Sequence, residues 1–227
     1  FFNQLVGGPA NGYRFLDDSN LGWGQNLKPL KAWMDANGVD HINLAYFGQA
    51  DPAYYGIDCT HLPGAPSFAI DRVARPRLPG YVALSAAIVN GVYAPPSWRL
   101  FYRPFRDLQP VAVIGHAIRV YWVDEWPDAI GENVPGAEPD AHRELADALL
   151  FGLRWPEQAV RHYDEYIRTR PDDVDGLANY GLALAASGRI GDSMATLERA
   201  LHIAPTHRMA HEYLRRVEAA LGKAGVK

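Results

Sequence analysis

Cysteine is all but missing from this chain. Cys59 stands alone among 227 residues, so no disulfide can close within it. That suits a reducing compartment, and equally a Gram-negative periplasmic domain that needs no bridge. It also excludes a zinc site built on several thiolates. Long hydrophobic runs are missing too. The two longest, "YVALSAAIVNGVYA" (81–94) and "PVAVIGHAIRVYWV" (110–123), fall short of the ~18–20 residues that a membrane-crossing helix needs. The opening "FFNQLVGGPANGYRF" lacks the basic start and apolar centre of a signal peptide. Neither sign of charge dominates: 22 Lys and Arg face 26 Asp and Glu, for a formal net charge of −4. With basic residues spread along the chain, there is no electrostatic case for nucleic acid or for an anionic membrane surface. Phosphate-binding glycine loops and the Gly-x-Ser-x-Gly nucleophile elbow are absent as well. The chain starts on Phe1 and Phe2 rather than Met, which reads as a piece of something longer.

What is present is globular in composition, with 48% hydrophobic and 11% aromatic residues, enough for one large domain or two small ones. Residues 1 to 125 are rich in Pro, Gly and aromatics. In "GQNLKPLKAWMDANG" (24–38), Leu27, Leu30, Trp33 and Met34 recur at helical spacing, with Pro29 in the first turn and Gly38 as a C-terminal stop. "HINLAYF" (41–47) alternates and predicts a half-buried strand. Residues 58 to 79, with four prolines, predict a long surface loop. "PGYVALSA" predicts a strand, and "SWRLFYRPFRDL" a helix kinked by Pro104. "PVAVIGHAIRVYWV" predicts two short strands around Gly115. Together these make a small sandwich domain of α+β or α/β type. An acidic Pro/Gly linker (126–139) follows, then an all-α segment (140–227).

That segment repeats. Pro171 and Pro205 lie 34 residues apart, and this register aligns Ala159 with Ser193, Tyr163 with Leu197, and Tyr166 with Ala200. The unit from 174 to 207 carries Leu177, Tyr180, Gly181, Leu184, Gly188, Leu197, Ala200 and Pro205, and it resembles the tetratricopeptide repeat. A weaker unit spans about 140 to 173, where Asp147 holds the place of Gly181; residues 208 to 222 look like a capping helix. The resemblance implies protein binding on a concave face made here by Asp175, Ala178, Asn179, Leu182 and Ala186. A carboxylate clamp is not expected, because Glu144, Ala148, Ala178 and Leu182 fill the positions that would need basic groups. So short an array also reads as a packing element that docks within its own chain.

Catalytic and metal patterns are thin. His207 and His211 are spaced i, i+4 on one helix, a geometry able to grip a metal, but no third ligand accompanies them. They read as exposed surface histidines, and His41, His61 and His116 read as structural or exposed. Neither a metal nor a cofactor is implied. The one polar concentration at a strand-to-helix corner is Asp17, Asp18, Asn20, Trp23 and Gln25. Its carboxylates could serve as acid or base, its amides could bind hydroxyls, and Trp23 could stack on a sugar ring. The same residues also suit a capped helix whose positive end attracts the aspartates. Tyr54 and Tyr55, in "DPAYYGID" (51–58), make a second aromatic and acidic loop on what the pattern places at the same sheet edge.

At these residues a larger likeness appears. Residues 1–57, with "DSNLxWGQ" as their most specific string, and the tail "FRDLQPVAVIGHAIRVYWV" resemble the soluble region that follows the membrane spans in bacterial family-39-type glycosyltransferases. These are phospholipid carrier-dependent proteins related to protein mannosyltransferases. The resemblance covers about residues 1 to 123; Gly22 departs from it, standing where the family pattern has an aspartate. It implies a membrane-embedded parent that moves a sugar from a polyprenyl-phosphate carrier outside the cytoplasm. Its catalytic carboxylate lies in a loop between the first membrane helices, so no catalytic residue carries over. The expectation is therefore a non-catalytic accessory region on the periplasmic face, possessing repeats for a protein partner and a corner for a sugar or polyprenyl-phosphate-linked substrate. The alternatives are a free-standing interaction scaffold, in either compartment, and a small carbohydrate-binding or hydrolytic enzyme using the Asp17–Gln25 corner.

Overall fold

The computed structural model describes residues 25–64, 72–91, 94–128 and 138–224. The chain divides into two compact units, Phe1–Ala129 and Ile130–Lys227. The first is a mixed α+β unit and the second is helical.

In the first unit the sequence pattern of Leu27, Leu30 and Met34 becomes helix α1 (Leu27–Ala36), which buries those three side chains. Gly38 ends it with φ of +65°, a conformation that glycine adopts without a side-chain clash. Among the described residues five strands follow: β1 (His41–Ala45), β2 (Asp58–His61), β3 (Gly80–Ser85), β4 (Ala112–Ile114) and β5 (Ile118–Val123). Their order across the sheet is β2-β1-β3-β5-β4. The β1, β2 and β3 strands run parallel, and β5 runs antiparallel to both β3 and β4. Gly115 and His116, both with positive φ, make the tight turn from β4 to β5.

Two readings of the sequence need correction. The stretch expected as a long loop from residue 58 begins as a strand, β2, because Asp58–His61 pairs in parallel with His41–Leu44. The "HINLAYF" strand is buried on both faces from Ile42 to Ala45, not half-buried. Asn43 explains the difference. Its side chain is 1% exposed, yet it donates to the carbonyls of Arg77 and Tyr81 and accepts from the Arg77 N–H. A polar residue that reads as solvent-facing is here an interior stitch. The apolar run after β3 also changes form, turning without a break into the short helix α2 (Ala86–Asn90).

Helix α1 covers one face of the sheet over Ile42, Leu44, Ala83, Ile118 and Val120. The other face takes α2, α3 (Pro96–Tyr102) and a 3-10 turn, Arg103–Arg106, that starts where Pro104 interrupts the α-helix. Aromatic rings fill this layer: Phe101 stacks on Trp126 at 4.4 Å and Phe105 meets Tyr121 edge-on at 5.1 Å.

The second unit holds α4 (Pro139–Asp147), α5 (Pro156–Thr169), α6 (Val174–Ala186), α7 (Ile190–Ile203) and α8 (Arg208–Ala224). A π-type turn, Ala148–Gly152, prolongs α4. Helices pack in chain order as hairpins, α4 with α5 and α6 with α7, and α8 closes against α6 and α7. The second hairpin is tight because Gly181 has no side chain: a Cβ there would lie 2.6 Å from Cγ of Leu197, which is wholly buried. Ser193, also wholly buried, donates its hydroxyl to the Gly181 carbonyl at 2.7 Å. Gly181→Ala should therefore destabilise the chain by about 1–2 kcal/mol in urea unfolding, overpacking outweighing the gain in helix propensity. In a Leu197→Ala background the same change should cost nothing or stabilise; an equal cost in both backgrounds would refute the contact.

Candidate functional site

In parallel sheets, loops at the carboxyl ends of the strands gather groups able to meet a ligand. Helix α1 starts at that end. Asn26 lies against Gly115 in the β4–β5 turn, and β5 begins opposite Ser85, the last residue of β3. Gln25 is thus placed at the carboxyl edge, exposed. Asp17, Asp18, Asn20 and Trp23 lie outside the described residues. Tyr54 and Tyr55 sit on a 3-10 turn, Pro52–Tyr55, capped by the Asp51 carboxylate, which accepts from the Ala53 N–H. Tyr54 is 86% exposed, and its ring meets that of Tyr55 edge-on at 5.2 Å. Tyr55 is half-buried against the core under α1.

Beside that turn the strands bring together groups that the sequence leaves scattered. Cys59 and His61 alternate on one face of β2, with Sγ and Nε2 3.9 Å apart. Arg72 pairs with Asp51 at 3.8 Å. The Tyr46 hydroxyl is buried, with no hydrogen-bond partner among the described residues, and so is Nδ1 of His61. Burial, reinforced by Asp58 and Asp51, pushes the Cys59 thiol up to about 12. Burial and Arg72 push His61 down against the pull of Asp51, which leaves a neutral, weak base. A protonated thiol beside a neutral imidazole is a polar lining, not an activated nucleophile.

On the opposite face of the same strands, His41 lies between Asp58, 3.2 Å from Nδ1, and the Thr60 hydroxyl, 3.0 Å from Nε2. The order of groups is that of an acid–base relay. The carboxylate is close but not aligned as a hydrogen bond to Nδ1, and Thr60 is only 7% exposed, which closes its hydroxyl to a substrate.

In the helical unit the polar residues converge on Asp147. Its carboxylate accepts from the Tyr163 hydroxyl on α5 and, at 3.0 Å, from the Asn179 amide on α6. Arg143, one turn earlier on α4, lies 3.9 Å from Asp147 and 3.8 Å from Asp173, the residue capping α6. Tyr166 donates to Asp173 at 2.6 Å. Burial and the bond to Asp147 raise the Tyr163 phenol far above its ordinary value; burial and Asp173 raise Tyr166 to about 12. Both remain protonated donors across the neutral range.

Of the expected concave-face residues, Asn179 is 9% exposed and bound to Asp147, and Asp175 reaches Nε2 of His207 at 3.0 Å. Leu182 is half-buried and Ala186 exposed. The second metal-spaced histidine, His211, contacts the Pro205 carbonyl at 2.8 Å through Nε2. Among the described residues no three His, Cys, Asp or Glu side chains are grouped to hold a metal.

The chain matches no protein-family model and no curated protein.

The Asp147 network was legible in part. Setting residue 147 against 181 and 163 against 197 pairs a carboxylate with a phenol where the second hairpin pairs glycine with leucine. Nothing local in the sequence points to Arg143, Tyr166 or Asp173.

Two outcomes are expected. Alkylation of Cys59 in the folded chain, followed by mass spectrometry, should be slow at pH 7 and rise about tenfold per pH unit past 9 without levelling; a plateau near ~8.5 would contradict the burial effect. Asp147→Ala should cost about 2–4 kcal/mol, because a phenol and an amide lose their acceptor. Asp147→Gly with Tyr163→Leu, which copies the second hairpin, should recover part of that loss in the same unfolding assay.

Proposed function

We propose that the helical unit is a tetratricopeptide-type array that recruits a protein, and that the chain as a whole is a non-catalytic, extracytoplasmic accessory region of a membrane glycosyltransferase. The observation that carries the first part is the offset of its elements. The α5 and α7 helices begin 34 residues apart, as do α6 and α8, and α4 begins within one residue of the same register. Small residues stand where the period requires close packing: Gly181 and Ser193 meet between α6 and α7, and Ala200 is buried on α7.

Recognition then falls on the α6 face that bears Leu182 and Ala186. The polar members of that face are already engaged between successive helices, Asn179 to α4 and Asp175 to His207. A partner that buries apolar side chains fits this face better than one held by a charge clamp.

The second part rests on the resemblance of residues 1 to 123. The chemistry of the sheet unit agrees with it. Cys59 is a protonated thiol and Thr60 is buried, so the groups best placed for covalent catalysis are disabled, while the Tyr54 ring and the Gln25 amide, on separate segments, are exposed. An exposed ring such as Tyr54 suits stacking on a sugar of a polyprenyl-phosphate-linked substrate presented to the parent enzyme. No described helix is long and apolar enough to cross a membrane.

A photoreactive amino acid placed at Leu182 or Ala186 in bacterial cells should give a discrete protein adduct, and one placed at Glu198 on α7 should not. Equal yields from all three positions, or none from any, would sink the recruitment reading.

A further inference from the structure

Two buried histidines meet between α4 and α5. His142 is 4% exposed and His162 3%, and their Nδ1 atoms are 3.0 Å apart. The rings are tilted by 39°, with centroids 5.2 Å apart. At this separation one Nδ1 must carry a proton and donate while the other accepts. As two neutral imidazoles the rings therefore hold opposite tautomers, and the bond is lost once both Nδ1 atoms carry a proton.

Acid attacks this arrangement in two steps. A first proton can enter only at an Nε2; it leaves the bond standing but places a cation in the interior. A second proton sets donor against donor across 3.0 Å. The surroundings do little to help a cation. On α5, Glu165 favours a charged His142, but Arg168 opposes it, and Arg161 opposes a charged His162. The π-type turn Ala148–Gly152 carries no titratable side chain. On α6, Asp175 is held by His207 and Tyr180 by Asp164, and on α4 Arg143 turns to Asp147 and Asp173.

We infer that the His142–His162 contact is an acid-sensitive latch. In neutral form it pins α4 to α5, and on protonation it frees the first hairpin while α6 and α7 stay closed. Release of α4 would also withdraw Asp147 from Tyr163 and Asn179, so the face built on α4 and α6 would be lost together with the hairpin. The second hairpin has no such pair at the equivalent positions, Gly176 and Thr196.

The direction follows from burial. It lowers both histidines, His162 to about 3, so each contributes full stability above its unfolded value of ~6.5 and loses it as pH falls below that. By pH 5.5 the opening equilibrium of the hairpin should rise about tenfold if one histidine drives it and about a hundredfold if both do.

Hydrogen exchange on the full chain between pH 7.5 and 5.0 reads this directly. Protection factors in α4 and α5 should fall by those amounts while those in α7 hold. Nitrogen-15 spectra of the imidazoles at pH 7.5 should show one Nδ1–H and one Nε2–H tautomer, a readout that needs no variant. His142→Gln with His162→Gln should flatten the pH dependence if it folds. Parallel protection in both hairpins down to pH 5.0, or two rings in the same tautomer, would overturn the latch.

Discussion

One half-buried carboxylate keeps three helices together. Asp147 stands on α4, takes the Tyr163 hydroxyl of α5 and takes the Asn179 amide of α6. Tyr166 to Asp173 and Tyr180 to Asp164 also bind the first hairpin to α6, and Asp147 adds the node at which α4, α5 and α6 meet through hydrogen bonds of fixed geometry. Arg143 then sits between Asp147 and Asp173, so that two nearby acidic groups meet one cation instead of one another. The rest of the helical unit is arranged around this node.

The two hairpins solve the same spacing problem by different chemistry. In the second, glycine faces leucine and the helices close on an apolar contact. In the first, aspartate faces tyrosine, and the added bulk is repaid by a hydrogen bond. The substitution also makes the first hairpin the more polar of the two, with His142, His162 and Gln158 all buried in it. Buried polar groups tie stability to protonation, which apolar contacts do not. The asymmetry between the hairpins is therefore one of response as well as of composition.

In the sheet unit, burial sets the chemistry in the opposite sense. Asp51, Cys59, His61 and Arg72 include residue types that enzymes use, and strand geometry places Cys59 next to His61. Low solvent access and two neighbouring aspartates keep the thiol protonated, and the Thr60 hydroxyl lies under the surface. Residue identity alone would have permitted a nucleophile at either place. Exposure and charge decide against both.

Local pattern was enough for much of the fold. Apolar spacing marks α1, the alternating runs mark β1, β3 and the β4–β5 pair, and the 34-residue period marks the helices from α4 to α8. These are properties of a few neighbouring residues, and neighbours are what a sequence displays. Partners distant along the chain decided the remainder. Asn43 became interior because Arg77 and Tyr81 come to meet it, and β2 became a strand because β1 lay beside it. Asp147 found Tyr163 and Asn179, and His142 found His162, across 16 to 32 residues of chain. The sequence by itself determined most of the helices and strands and the 34-residue register of the helical unit. Only the tertiary structure decided which polar side chains are satisfied, which are protonated and which can still meet a ligand, because those depend on burial and on partners that chain order does not reveal.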